Sequence, residues 1–220
     1  MLKMKVRKVV DLSITIMEGM TIFPGDIIPE ITQVSDFNEK GYRLSRITLG
    51  SHTGTHIDAP SHMIEGGATI NKISLDSLMG EATIIDLTHI RAGKAITPSD
   101  IQQKDIKKGD IVLLCTVIGK RRRDKKILTN YPYLSLEAAE WLIKKGVKAV
   151  GVDCISIEKH GGRKYPVHNY LLTQNISVIE GLTNLDAVKG KRILFICIPL
   201  KIKGVDGAPA RAIALEFEDI

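Results

Sequence analysis

From residue 81 onward, short apolar and β-branched runs alternate with amphipathic helical segments, and this alternation limits the chain more than any other feature. Residues 81–87 read as a strand by their β-branched content. Thr97 and Pro98 open a helix predicted to run to about Ile106, proline being tolerated at the first helical position. Residues 110–118 read as a buried strand. Ser135 caps a helix over residues 136–145, with Ala138, Leu142 and Ile143 on one apolar face and Gly146 as its stop. A strand at 147–152, a short helix at 167–174 and strands at 176–180 and 192–200 follow, and residues 210–218 alternate as an antiparallel edge or second-sheet strand. Strands separated by helices need crossover connections, so part of the sheet is parallel. The first third is richer in β pattern: residues 8–16 read as a strand, 21–26 as turns and 27–50 as extended segments with loops. That predicts a second sheet layered on the first. The expected class is α/β with a mixed, partly parallel sheet. With no repeat or linker in view, residues 1–220 read as one domain.

Composition excludes several functional classes. The 220 residues carry 31 basic and 25 acidic side chains, hence +6, with 44% hydrophobic and 25% charged residues. That is the balance of a folded protein, not of a disordered one. No apolar run approaches the ~18 residues of a membrane span. The first residues read as a strand with no following apolar region of a signal peptide, so a cytoplasmic protein is expected. Cys115, Cys154 and Cys197 lie far apart in apolar runs and read as small buried hydrophobes. The basic run over residues 120–126 has no interleaved aromatics to stack on bases and reads as a solvated loop, so no nucleic acid is expected as partner.

The chemistry concentrates in Ser51-His52-Thr53-Gly54-Thr55-His56-Ile57-Asp58-Ala59-Pro60-Ser61-His62. Three of the six histidines fall within positions 52 to 62, where even scatter would place about 0.3. On a straight strand His52 and His56 would stand about 13 Å apart at roughly 3.3 Å per residue, too far to share an ion at about 2.0–2.1 Å per bond. A helix would turn Asp58 away from His52 and would be interrupted by Pro60. A tight turn through Thr53-Gly54-Thr55 solves both problems, and an extended step then sets Asp58 beside His56. Two imidazoles and a carboxylate suit zinc, manganese or iron, with a coordination position left for water. His62 lies too far along for the same turn but has the pKa range of a proton shuttle. Downstream, Asp153, His168 and Glu180 all fall near one edge of the expected sheet, and spacing does not choose among them. His89 and His160 read as loop or surface histidines.

The segment from His52 to His62 resembles the signature of the metal-dependent cyclase-like hydrolases, a family that includes bacterial kynurenine formamidases and isatin hydrolases. Weaker similarities extend over most of the chain: Asp11-Leu12-Ser13, Phe23-Pro24-Gly25-Asp26, Gly66-Gly67, Gly151-Val152-Asp153, Val167-His168 with Glu180, Thr183-Asn184-Leu185 and Pro199-Leu200. The resemblance implies a three-layer β/β/α fold of the swivelling type. It implies His52, His56 and Asp58 on a first ion, with Asp58 and Glu180 bridging to a second that also takes His168, the pair being zinc or manganese. It further implies His62 as general acid/base and a homodimer. Phe23 falls where kynurenine formamidases carry an aromatic, usually tryptophan, that packs on the substrate ring.

The resulting expectation is an amidohydrolase acting on a small molecule such as N-formylkynurenine. A bound ion lowers the pKa of its water, giving a hydroxide nucleophile, and His62 manages the proton. Cyclic amides, lactones and a non-hydrolytic cyclisation are alternatives at the same ions. A different class of reading is a metal-stabilised protein that binds nucleic acid or an acidic partner. A closed cysteine and histidine cage would be expected there, and a carboxylate-rich set with a spare histidine is not one.

Overall fold

The structure is a computed structural model that describes residues 5–116, 118, 128–162 and 164–218. In chain order it begins with strand β1 (Val6–Asp11), then a hairpin of β2 (Glu30–Ser35) and β3 (Leu44–Thr48) around the one-turn helix α1 (Phe37–Lys40). Next come β4 (His56–Asp58), β5 (Met79–Asp86), β6 (Ala95–Ile96), α2 (Pro98–Ile101), β7 (Ile111–Cys115), β8 (Tyr133–Leu134) and α3 (Leu136–Lys145). The chain ends with β9 (Ala149–Val152), α4 (Pro166–Thr173), β10 (Ser177–Glu180), β11 (Arg192–Pro199) and β12 (Gly207–Phe217).

The expected parallel unit is present. β5, β7, β9 and β10 are hydrogen-bonded in that order and run parallel, with Ala82, Ile111, Ala149 and Ser177 in register. β7 shows why its sequence is continuously apolar. Ile111, Leu113 and Cys115 enter one apolar cluster with Phe195, Ala212 and Ala214, while Val112 and Leu114 enter another with α3 and α4. A strand buried on both faces cannot alternate with polar residues. α3 forms where Ser135 places it: the Ser135 hydroxyl accepts from the Ala138 N–H, and Gly146 closes the helix at φ +74°. Ala138, Ala139 and Leu142 are its buried face.

The β-rich first third divides between two sheets: β2 and β3 pair only with each other, while β1 and β4 join the main sheet. The main sheet has eight strands in the order β1-β12-β11-β5-β7-β9-β10-β4, and β4 pairs in addition with β12. The sheet therefore closes into a barrel-like ring. β12 is not an edge strand: its first residues pair with β4 and its last with β1, both along one side, while β11 pairs along the other. Closure removes an open edge that an alternating pattern alone cannot locate. The strand expected over residues 8–16 ends at Asp11, and the one expected over 110–118 ends at Cys115, where the Thr116 N–H leaves the ladder for the Asp153 carboxylate at 3.0 Å. The helix expected to reach Ile106 stops at Ile101. There the chain turns, the Lys104 N–H donating to the Ile101 carbonyl at 3.0 Å, and further on Asp110 accepts from the Lys107 N–H at 2.8 Å ahead of β7. Among the described residues no helix is long and apolar enough to cross a membrane.

Candidate metal centre

Closure brings three distant segments to the carboxyl end of the parallel strands. β4 is extended over only three residues, so His56 and Asp58 project to one side while Ile57 is fully buried in the core opposite. Ahead of it the predicted turn is present, with Gly54 at φ +73°, in the left-handed region. A Cβ on Gly54 would stand 3.1 Å from Ile16 Cγ1, so the turn needs glycine both for its dihedral angle and for space. The turn returns His52 until its ring centroid is 5.0 Å from that of His56. β10 runs antiparallel to β4 with Glu180 directly opposite His56. α4 begins at Pro166, and its first turn carries the buried His168 into the same space.

The distances define one connected centre. Asp58 Oδ1 lies 2.8 Å from His52 Nδ1 and 3.4 Å from His56 Nε2, and Asp58 Oδ2 lies 3.4 Å from His168 Nε2. Glu180 reaches His168 Nε2 with Oε1 at 3.1 Å and His56 Nε2 with Oε2 at 3.6 Å. His52, His56 and Asp58 can each offer one atom to a common point, as can Asp58, His168 and Glu180, all such atoms lying within 4.8 Å of one another. The five residues singled out as ligands in the sequence are thus brought together, with Asp58 common to both groups.

The orienting contacts point the correct nitrogens inward. His56 Nδ1 donates to the Gly54 carbonyl at 3.1 Å, which leaves Nε2 for the centre. His168 Nδ1 lies 3.0 Å from Glu158, which also accepts from the first backbone N–H groups of α4 at Val167 and His168. Glu180 Oε1 accepts from the Ile157 N–H at 2.7 Å and from the Ser156 hydroxyl at 3.1 Å.

The donor chemistry fits a divalent cation. His56 Nε2 and Asp58 Oδ2 are buried without a hydrogen-bond partner, an arrangement that costs stability unless another group satisfies both atoms. Burial raises the Asp58 carboxyl, but the surrounding His168, His52 and His56 rings outweigh it and hold the group well below the usual carboxylate range. Burial likewise works against a charge on His52 and His168. For His52 the carboxylates of Asp58 and Asp206 win and raise it to about 9; for His168, Asp58, Glu158 and Glu180 raise it well above its ordinary value. The same negative field that attracts protons here attracts a metal ion.

The centre forms the floor of a cavity of about 250 Å³. His62, at the end of a 3-10 turn (Pro60–His62), lines it beside His52, their ring centroids 4.1 Å apart. Phe23 supplies an apolar wall, together with Ile22, Met63, Ile155 and Tyr165. Asp153 does not join the cluster and instead accepts from Thr116. His89 is exposed. His160 lies in a loop as expected, but its ring packs 6.3 Å from that of Phe23. Cys115, Cys154 and Cys197 are buried and form no disulfide. The basic run at 120–126 lies outside the described residues.

Sequence reasoning missed Glu158 and Asp206. Asp206 Oδ2 is 3.0 Å from His52 Nε2 and 3.2 Å from His62 Nδ1. Burial pushes the Asp206 carboxyl up, but hydrogen bonds from His52 and Ser51 prevail and hold it at about 2. No local spacing signals a residue more than 140 positions from its partners. Glu158 carried a weak signal, an acid shortly before a proline-initiated helix, where it can accept from free N–H groups.

A family model described as "Putative cyclase" matches residues 10–159. The chain is 30% identical to a kynurenine formamidase of Bacillus cytotoxicus and 31% identical to one of Salinibacter ruber, each likeness covering 96% of this chain and 98% of the relative. Among solved structures, isatin hydrolase A from Labrenzia aggregata superposes with a TM-score of 0.88 at 25% identity, over 96% of this chain and 94% of that one. A potential metal-dependent hydrolase with cyclase activity superposes with a TM-score of 0.83 at 35% identity, over 96% and 99%.

Proposed function

Because the chain belongs to the cyclase family, we propose that it is a metal-dependent hydrolase of a small amide that acts as kynurenine formamidases do. The observation that carries this reading is the convergence of His52, His56, Asp58, His168 and Glu180 on one buried centre at the floor of a cavity with His62 on its wall. The full-length likeness to kynurenine formamidases supports it.

His52, His56 and Asp58 would hold one ion, and Asp58, His168 and Glu180 a second, zinc or manganese in each case. When bound, such ions acidify a water toward neutral pH and polarise a carbonyl. The protein's own groups do the rest. Phe23 and its apolar neighbours hold the planar part of the substrate and exclude bulk water from the reacting carbonyl. His62 takes a proton from the attacking water as its oxygen joins the carbonyl carbon. It then delivers that proton to the nitrogen as the C–N bond breaks, so that a carboxylic acid, which ionises to solvent, and an amine leave.

The chain is read as one catalytic unit of the swivelling β/β/α type, with α3 and α4 as the helical layer. A homodimer in the cytoplasm, with no nucleic-acid partner, completes the proposal. A second reading, hydrolysis of a cyclic amide or lactone, draws on the close superposition with isatin hydrolase A.

Elemental analysis paired with N-formylkynurenine hydrolysis before and after chelation tests the proposal. About two ions per chain with chelator-sensitive hydrolysis is expected. Bound metal with hydrolysis of isatin-like rings alone would replace the first substrate class by the second. No bound metal after reconstitution with zinc or manganese would overturn both.

A further inference from the structure

We propose that Asp206 is the positioning residue for His52 and His62, a single carboxylate oxygen accepting a hydrogen bond from each ring on the nitrogen that faces away from the chemistry. This rests on the reading of His52 as a metal ligand and His62 as the acid/base. His52 uses its two nitrogens in different directions: Nδ1 is 2.8 Å from Asp58 Oδ1, inside the metal centre, and Nε2 is 3.0 Å from Asp206 Oδ2. His62 turns the opposite atom to the same oxygen, with Nδ1 at 3.2 Å. Its Nε2 is then left for the cavity that His62 lines.

The tautomer matters for the reaction. A neutral imidazole in water prefers its proton on Nε2, which would block the nitrogen that must accept one. An acceptor at Nδ1 draws the proton there and presents Nε2 as the base. With both rings bonded to one oxygen, the base and the ligand also keep a constant separation, their planes tilted by 42° at 4.1 Å between centroids.

The backbone is built for this placement. The Asp206 carbonyl accepts from the Ala59 N–H at 2.9 Å, and the next residue, Gly207, pairs with Asp58 where the sheet closes. A Cβ on Gly207 would stand 2.9 Å from the Ile57 carbonyl oxygen and 3.0 Å from His52 Cε1. Any larger residue would push the loop, and Asp206 with it, away from the two rings.

The test combines long-range proton–nitrogen correlation spectra of the histidine rings with kinetics at saturating zinc, for the wild type, Asp206→Ala and Asp206→Asn. Expected in the wild type is a neutral His62 protonated on Nδ1, reverting to the Nε2 form in Asp206→Ala. In that variant kcat is expected to fall about 10–100-fold, with KM and zinc per chain unchanged at saturation. Asp206→Asn keeps an oxygen that accepts from both rings, so it should recover most of the loss. A wild-type His62 protonated on Nε2 overturns the proposal. So does an Asp206→Ala protein that keeps both its tautomer and its kcat, or one whose zinc content cannot be restored at saturation, which would make Asp206 a ligand. The spectra need no turnover, so they decide the role of Asp206 even if every amide substrate offered is left intact.

Discussion

At Asp58 the two carboxylate oxygens face different partners, Oδ1 toward His52 and His56 and Oδ2 toward His168. His62 stands outside that set, on the cavity wall. His62→Ala should therefore lower kcat by roughly 10²–10⁴ while leaving the metal content of the purified protein unchanged; a parallel loss of metal and activity would place His62 among the ligands instead. The protonation of His52 gives a second expectation. Its folded value is raised to about 9 against an ordinary value of 6.5, so its ion pairs stabilise the chelated protein fully below the ordinary value and fade as pH climbs through about 9. Metal binding must displace that proton, so affinity should rise over the same interval. Thermal melts of chelated protein and zinc titrations, each across this pH range, should move in opposite directions. At this scale much was legible: the histidine spacing, the aspartate between them and the glycine that permits the turn are adjacent in the chain. Asp206 was not, because its relation to His62 exists only after the sheet has closed.

Among the elements, α3 has the bounds its sequence signals predict, since cap, face and stop all act within a few positions of one another. Of its expected face Ala138 and Leu142 are buried, with Ala139 in place of the partly buried Ile143. Ser135→Ala should cost about 1 kcal/mol in denaturant or thermal unfolding and leave turnover alone, the helix lying away from the cavity. The turn before β4 is the more consequential element. Gly54→Ala places a side chain at φ +73° and against Ile16. It should destabilise the fold by about 1 kcal/mol or more and weaken zinc affinity as His52 and His56 are displaced. Unchanged affinity in calorimetric titration would show that the turn does not position the ligands. α2 illustrates the limit of local reading. Its capping box marks the start clearly, yet the chain leaves the helix after Ile101 in tight turns, Lys104 N–H to the Ile101 carbonyl and Ile106 N–H to the Lys104 carbonyl, before the expected end.

For the molecule as a whole, two apolar clusters lie on opposite faces of the main sheet, and neither is built around the metal centre. Chelation should thus abolish hydrolysis while the far-ultraviolet circular dichroism and a cooperative melt persist, with the midpoint lowered by the lost binding energy. Unfolding on chelation would identify the ions as structural. The ring of strands also explains why the centre is assembled from such distant residues. Pairing of β4 with β10 sets His56 opposite Glu180, and pairing of β4 with β12 sets Asp58 opposite Gly207 and brings in Asp206.

The sequence by itself determined the parallel strand–helix alternation, the capped helix, the turn through Gly54 and the grouping of His52, His56 and Asp58. Each of these depends on side chains close together in the chain or on a compact pattern of residue types. Only the tertiary structure decided that the sheet closes, that β12 is paired on both sides, and that Glu158 and Asp206 orient the histidines. Strand closure and the reach of Asp206 to His52 and His62 depend on which backbone edges and carboxylates meet across more than a hundred residues. Glu158, ten residues before His168, meets that ring through the fold of the intervening loop, and local periodicity holds no record of either.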